Sequence, residues 1–375
     1  MPVTLDQILA DLAATRDDHE AQNAVLLQVS QAVLQAKGLG GQVIARLCTL
    51  EETAPELTDF EVLLAVILPV ASMEYDTGQK RGPDLLDEIE EAVNLAVQQR
   101  RIGLHHRVLM ARSWLHAGLK VPAALELRDL SEVGLDASSG NPHVLERLFE
   151  ELAREADGDA YDLYLAFTEI MPVMPAEAHA AMIELIASCP EAVFEEVGFY
   201  WLLNENLEIR RAAARGLGAR LKDGNLSAEA VFRLPDLRNW IPKDAARFDL
   251  DRVIKNALRA NLRAEATTPV WQCHRLLASL PNEVGEQSIA AVLSSGDRYA
   301  VALVVLAADR GVADAHIRDF NAEADQAFMI QCYIEGTDAL DVPLEYVSLA
   351  LSFAIDAGMA RGLPPVPALL PVAEA

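Results

Sequence analysis

The chain has 375 residues, of which 51% are hydrophobic and 23% are charged, and its formal net charge is −26. An apolar fraction of this size excludes an intrinsically disordered chain, and the length is enough for one large core or two ordinary domains. The strong negative charge argues for a soluble protein and against non-specific binding to nucleic acid or to an anionic membrane.

Helical signals begin at the N-terminus. Thr4 and Gln7 have the spacing of a capping box in front of an amphipathic run of leucine and isoleucine. A second helix is expected over residues 18–37, and the glycines of residues 38–41 are expected to end it. Both segments are rich in Ala and Leu, which favour helix over strand.

Further along, prolines stand where helices are expected to begin and glycines where helices are expected to end. A proline in the first helical turn costs no hydrogen bond, and glycine readily adopts the left-handed conformation that closes a helix. The expected starts are Pro83, Pro122, Pro142, Pro175, Pro190, Pro242 and Pro343, and the expected ends are Gly134, Gly224, Gly311 and Gly336. Val301–Leu306 is the best strand candidate, but its alanine-rich flanks favour a buried helix instead.

One segment, residues 199–221, resembles the centre of a HEAT repeat. It combines an apolar first helix, a short polar turn, the pair Ile209–Arg210 and an Ala-rich second helix that ends in Leu217–Gly218. This resemblance covers one unit of the chain and implies membership of the HEAT/armadillo-like helical-repeat superfamily, whose members mostly bind other macromolecules. It also implies that Arg210 bonds to an adjacent turn.

The succession of short helices predicts an all-α fold. About sixteen to eighteen helices, paired at roughly 40 residues per hairpin, would form an α-solenoid of HEAT-like hairpins. A compact multi-helix bundle is the alternative. The expected regions are an acidic helical region at 1–195, a HEAT-like helical region at 196–362, and a Pro-rich tail at 363–375 that is either disordered or a strap on the last helices.

A basic island interrupts the acidic chain. Residues 121–195 contain 16 acidic and 3 basic residues, whereas residues 196–265 contain 10 acidic and 13 basic residues. Because Arg and Trp are frequent at interface hot spots, this island is the candidate binding surface. The candidate binding residues are Trp201, Arg211, Arg215, Lys222, Arg233, Arg238, Trp240, Lys243 and Arg247. The alternative, that these cations pair with neighbouring acids inside the fold, stays open.

The histidines do not match a known catalytic or metal-binding pattern. His105 and His106 are adjacent and therefore point about 100° apart on a helix, although carboxylates near Glu88 could face them and His116. In the adjacent pair Cys273 and His274, we expect one side chain to be packed and the other to be exposed. Phosphate-binding loops, dinucleotide motifs, nucleophile elbows and Asp-rich metal boxes are absent from the sequence. We therefore expect no metal and no cofactor.

The cysteines and the hydropathy pattern predict a cytoplasmic protein. Cys48, Cys189, Cys273 and Cys332 are far apart and form no Cys-x-x-Cys pair, which favours reduced thiols. The N-terminus lacks the pattern of a signal peptide. The longest apolar stretch, Val62–Ala71, contains a proline and is about half as long as a membrane span.

Binding is favoured over catalysis. The main hypothesis is a non-enzymatic protein-binding or scaffold protein that presents a helical-repeat surface to a protein partner. An all-helical enzyme with a central pocket, lined by acids or histidines, is the first alternative. Nucleic-acid or phosphate binding through residues 207–263 is the second, and the net charge weighs against it. The oligomeric state is left open.

Overall fold

The structure, a computed structural model, describes residues 4–15, 19–51, 54, 56–76, 80–99, 101–127, 159–262 and 271–375. The chain divides into two compact units. The first comprises Met1–Leu145 and Ala166–Ala176, and the second comprises Glu146–Leu165 and Glu177–Ala375. The helix end predicted at Gly134 and the helix start predicted at Pro142 lie outside the described residues.

The first unit is helical in its described parts. Its helices are α1 (Leu5–Ala14), α2 (His19–Gln35), α3 (Leu39–Leu47), α4 (Leu57–Asp76), α5 (Arg81–Gln98) and α6 (Leu104–His116). The apolar face of α4 lies at the centre of the core, where Leu63 and Leu64 are completely buried. Val93 of α5 and Trp114 of α6 complete this core, so the unit is organised around α4.

The glycines of residues 38–41 have two structural roles. Gly38 has φ +85°, which ends the preceding helix as predicted and leads directly into α3. The Glu88 carboxylate of α5 accepts hydrogen bonds from the backbone N–H groups of Gly38 and Gly41, each at 2.8 Å. A Cβ on Gly40 would lie 2.8 Å from side-chain atoms of Leu85 and Ile89, so only glycine allows α3 to approach α5 this closely.

The second unit begins with helices. They are α7 (Ala160–Ile170), which starts in the second unit and ends in the first, and then α8 (Ala176–Ser188), α9 (Ala192–Leu202), α10 (Leu207–Asp223), α11 (Ala228–Trp240) and α12 (Ala245–Arg259). The predicted helix start at Pro175 is confirmed, because α8 begins one residue later. The predicted end at Gly224 is also confirmed, since this residue closes α10 with φ +79°.

The HEAT-like segment forms a real helical hairpin from α9 and α10. The predicted small-residue face of α10 is buried, and a Cβ on Gly216 would lie only 2.6 Å from the Cβ of Ala187 in α8. The predicted role of Arg210 is confirmed, since its guanidinium donates to the backbone oxygens of Asn204 and Glu205 at 2.6 and 2.8 Å. The local hairpin is therefore correct, although the solenoid built on it is not.

A five-stranded antiparallel sheet overturns the predictions of an all-α solenoid and of a compact helical bundle. Its strands are β1 (Gln272–Ala278), β2 (Glu286–Ser295), β3 (Arg298–Ala307), β4 (Gly311–Phe320) and β5 (Leu340–Asp341), in the order β4-β3-β2-β1-β5. The interpretation of Val301–Leu306 as a buried helix is wrong, because these residues form the centre of β3. Gly311 begins β4 and does not end a helix.

Two tight connections build this sheet. Ser295 pairs with Arg298 across the two-residue loop Gly296-Asp297, in which only the glycine has a positive φ, at +60°. This is the pattern of a type II′ hairpin turn. Ala307 pairs with Gly311 across a three-residue loop. Gly311 has φ +89°, a backbone conformation in which a residue with a Cβ would be strained.

Helices cover both faces of the sheet. They are α13 (Glu323–Thr337), α14 (Leu344–Ala360) and α15 (Leu369–Glu374). The α13 side chains pack with Val301 of β3, whereas α14 and α15 pack with Val304 on the opposite face. The Pro-rich tail lies as a strap, because Leu369 of α15 is buried and Glu374 approaches Arg233 at 2.5 Å.

Candidate functional site

Most arginines of the predicted binding set form ion pairs within the second unit. Arg211 binds Asp249 of α12 at 3.1 Å, and Arg215 binds Glu184 of α8 at 2.7 Å. Arg238 forms an ion pair with Asp251 between α11 and α12. Two of these bonds connect α10 to α12 and to α8, and the third connects α11 to α12, so much of the basic island links the helices α8–α12.

The other predicted residues differ in exposure. Trp201 is buried, Trp240 is half-buried against the apolar core beside the sheet, and Arg247 donates to the backbone oxygen of Ile241 at 3.2 Å. Lys222 and Lys243 are exposed. The nine residues therefore do not form one continuous surface.

Arg233 is the centre of a partly buried charged cluster. Its guanidinium lies 4.7 Å from the ring centre of Phe199, forms an ion pair with Glu196, and lies 2.5 Å from Glu374 of the C-terminal strap. Burial raises the pKa of both carboxyl groups above the ordinary value, and Arg233 opposes this rise. Burial also raises the pKa of the neighbouring Tyr200 hydroxyl. The cluster fastens α15 to α9 and α11.

The histidines considered in the sequence differ in exposure. His106 is buried, whereas His105 and His116 are exposed on α6. His274 is exposed on β1, with Nε2 2.5 Å from the Ser294 hydroxyl. The expected partner Glu88 binds the α3 backbone instead. Among the described residues, no group of three or more His, Cys, Asp or Glu side chains is placed to hold a metal ion.

Two open cavities lie on the first unit, with volumes of about 400 and 370 Å³. Asp6, Arg46, Glu56 and Asp59 provide the charges of the larger one. Lys37, Arg81, Asp84, Asp87, Glu88 and Glu91 provide those of the smaller one. Both linings include acidic residues, and neither includes a histidine.

The clearest candidate surface lies on α14. One face of this helix packs on the sheet through Val347, Ala354 and Gly358. Leu349 and Phe353, one turn apart, project from the opposite face and are 71% and 78% exposed. One apolar face of this helix is already buried in the core of the protein. A helix with a second, exposed apolar face normally packs that face against another molecule or segment.

Further apolar side chains extend this surface at the start of α14. Leu340 of β5 pairs with Ala278, two residues before Leu280 in the loop between β1 and β2. The surface, called the α14 patch below, consists of Leu280, Val284, Leu340, Leu344, Leu349 and Phe353, which are between 62% and 78% exposed. The Gln287 side-chain amide donates a hydrogen bond of 2.7 Å to the Tyr346 hydroxyl, which links β2 to the start of α14.

The charge around the patch is mostly negative. Residues 271–375 contain 14 acidic residues, 5 arginines and no lysine. Arg275 binds Asp341 at 2.6 and 2.9 Å, which holds the pKa of that carboxyl below its usual range. Glu345 and Asp356 are exposed at the two ends of the outer face of α14. The apolar outer face of α14 is therefore bounded by a carboxylate at each end.

Sequence reasoning missed this patch. The segment was expected to be an ordinary helix beginning at Pro343, which is confirmed, but its apolar residues at 347, 354, 349 and 353 lie on two opposite faces. A helical projection of the sequence would have shown these two faces. It would not have shown which one the sheet covers.

Comparison with known proteins gives a similarity to the two Y4lR domains. Residues 2–122 match the family model described as "Uncharacterised protein y4lR N-terminal domain", and residues 175–261 match the "Y4lR second domain". The HEAT-like segment lies within the second match, so the expected assignment to the HEAT/armadillo-like superfamily is wrong.

One curated relative is the "Uncharacterized protein y4lR" of Sinorhizobium fredii (strain NBRC 101917 / NGR234). It is 28% identical over 324 residues, which cover 84% of this chain and 61% of the relative. The chain thus spans about three fifths of the relative's length. No solved structure matches the chain. Among the described residues, no helix combines the length and apolar character needed to cross a membrane.

Proposed function

We propose that this chain, which carries sequences similar to the first two domains of the Y4lR family, is a protein-binding protein that docks its partner on the α14 patch. The observation that carries the proposal is the set of six large apolar side chains, 62–78% exposed, on α14 and on the strand and loop next to its start. Monomeric proteins rarely expose apolar patches of more than a few hundred Å² unless the patch binds something.

The size of the patch supports a stable complex. At roughly 100–150 Å² each, the exposed parts of the six side chains amount to roughly 600–900 Å². A standard protein–protein interface uses about 800 Å² from each partner. The absence of lysine between residues 271 and 375 agrees with this, because lysine is depleted at interfaces.

The chemistry of the patch indicates the class of partner. An apolar stripe one helix long, with Glu345 and Asp356 at its ends, is complementary to an amphipathic helix that carries apolar residues on one face and cations beside them. We therefore propose a basic amphipathic helix of a protein as the occupant. The ion pairs of the basic island leave fewer free cations for the alternative of phosphate or nucleic-acid binding.

A peptide titration tests this proposal. The probe is a fluorescently labelled helical peptide of Leu and Lys with one apolar and one basic face, and the matched peptide has Glu in place of Lys. We expect saturable binding of the Lys peptide, measured by fluorescence anisotropy. The double variant Leu349→Asn, Phe353→Asn should weaken this binding by at least about tenfold, because two buried apolar side chains are lost.

The control variant is Leu27→Asn, which removes a side chain of similar exposure, 64%, from the first unit. It should bind the Lys peptide as the wild type does. Equal binding by the double variant and the wild type would refute the proposal, as would tighter binding of the Glu peptide.

We also propose a cytoplasmic location. None of the four cysteines forms a disulfide; Cys48 and Cys189 are buried, and Cys273 and Cys332 are exposed. Exposed free thiols persist in a reducing compartment, whereas an oxidising one would convert them to disulfides. Fractionation of the native cell, followed by immunoblotting, tests this location.

A further inference from the structure

A second unpartnered surface lies on α12. Its buried face consists of Ala246, Leu250, Val253 and Ala257. The opposite face carries Phe248, Arg252, Lys255 and Arg259, which are separated by four, three and four residues and are all exposed. These four residues are called the α12 stripe below. Phe248 is 74% exposed, as is the side chain of Arg252.

The α12 stripe keeps its positive charge. Two carboxylates lie nearby on the same helix, but Asp249 binds Arg211 at 3.1 Å and Asp251 forms an ion pair with Arg238. Arg252 lies 3.9 Å from Asp249, which it shares with Arg211, and so gains little from this contact. The stripe therefore combines one aromatic side chain with three cations, which is the chemistry that the α14 patch is suited to bind.

We infer that the partner of the α14 patch is a second copy of this chain, which docks by its α12 stripe. This inference rests on the proposed function and names the occupant of the same surface. Both surfaces are exposed within one copy, so they do not meet in the same chain. The contact is heterologous, because two different surfaces meet, and each copy keeps one surface of each kind for a further copy.

The dimensions of the two surfaces agree. Eleven residues separate Glu345 from Asp356 on α14, and eleven separate Phe248 from Arg259 on α12, which is roughly 16 Å at 1.5 Å per residue. With the helices antiparallel and Phe248 beside Phe353, Arg259 comes within about one turn of Glu345, which its long side chain can reach.

A symmetric contact of one α14 patch with another is less favourable. An antiparallel twofold pairing centred between Leu349 and Phe353 would place Glu345 beside Asp356 of the other copy, at both ends of the contact. Like charges placed opposite each other oppose association, and no cation of α14 is available on this face to compensate. In the arrangement with the α12 stripe, Arg259 provides a cation near Glu345.

A complementation experiment tests the inference. One variant loses the patch by Leu349→Asn and Phe353→Asn, and the other loses the stripe by Arg252→Glu, Lys255→Glu and Arg259→Glu. Sedimentation and light scattering of the full chain then give the mass at micromolar to submillimolar concentrations. The wild type should form complexes larger than one 40.8 kDa chain, and each variant alone should stay at that mass.

The mixture of the two variants is the decisive sample. Each variant keeps one intact surface, so the mixture should form a complex of two chains that does not grow further, which also shows that both variants are folded. A control with Lys222→Glu and Lys243→Glu, two exposed cations outside the stripe, should associate as the wild type does.

Three results would overturn the inference: a wild type that stays at one chain, a mixture that does not associate, or a stripe variant that still associates as the wild type does while the patch variant does not. The last result would indicate a symmetric contact. A wild type that stays at one chain but binds the Lys peptide in a patch-dependent way would leave the proposed function intact and refute only self-association.

Discussion

The ion pair between Arg220 and Glu195 should be among the most sensitive points of the second unit. The two side chains are 2% and 5% exposed, and Arg220 Nε lies 3.4 Å from Glu195 Oε2. Arg220 also donates to the backbone oxygens of Glu191, Pro190 and Asn225 at 3.2, 3.3 and 3.2 Å. We therefore choose the substitution Arg220→Met, which keeps much of the side-chain volume and removes the charge.

The expected cost follows from what the substitution leaves behind. Glu195 would keep its hydrogen bonds from the Ser227 backbone N–H and hydroxyl, at 2.9 and 2.5 Å, but its buried charge would lose its cation. Removing one partner of a buried pair costs about 3–5 kcal/mol. Arg215→Met is the matched control on the same helix, since Arg215 pairs with Glu184 at the surface and should contribute less than about 1 kcal/mol.

Urea unfolding followed by tryptophan fluorescence measures this difference, because three of the four tryptophans, Trp201, Trp240 and Trp271, lie in the second unit. With a slope of about 2 kcal/mol/M, Arg220→Met should lower the midpoint of this unit by about 2 M. A loss of stability no larger than that of Arg215→Met would refute the assignment of Arg220 as a buried structural cation.

Three further predictions follow from packing and ionisation. Gly216→Ala should destabilise the second unit by about 1–2 kcal/mol in urea unfolding, because the new Cβ meets α8 at 2.6 Å, whereas Gly218→Ala should be neutral or slightly stabilising. Burial raises the pKa of the Cys48 thiol to about 11, so at pH 8 a thiol reagent should label the exposed Cys332 rapidly and Cys48 only on unfolding. The pKa of Glu374 is raised in the folded chain, so protonation of this carboxyl favours the folded state at low pH. This stabilisation is lost as the pH rises through that pKa. Glu374→Gln should therefore gain stability relative to the wild type as pH rises, and a constant difference across the pH range would contradict this.

The helices and their ends were predictable because their causes are local. The Thr4 cap accepts from the Gln7 backbone N–H at 3.4 Å, Gly224 closes α10, and Arg210 binds the preceding turn. Each of these features depends on residues fewer than seven positions apart, so the local sequence is sufficient to specify it.

The sheet was not predictable by the same reasoning. β3 is covered by α13 on one face and by α14 with α15 on the other, so its residues are apolar on both sides and lack the alternation that marks a half-buried strand. The Gly296-Asp297 turn was a usable signal, but it indicates a strand only when both flanking runs are read together.

The sequence by itself determined several helix boundaries, among them those at Thr4, Gly38 and Gly224, the acidic charge, and the local bonds of the α9–α10 hairpin. Only the tertiary structure decided that Arg211, Arg215 and Arg238 pair with acids of other helices, that residues 272–341 contribute a sheet, and that Leu349 and Phe353 face outward. The physical reason is that burial and ion pairing depend on which distant elements meet. The identity of an apolar residue does not show whether the rest of the chain buries it or leaves it exposed for a partner.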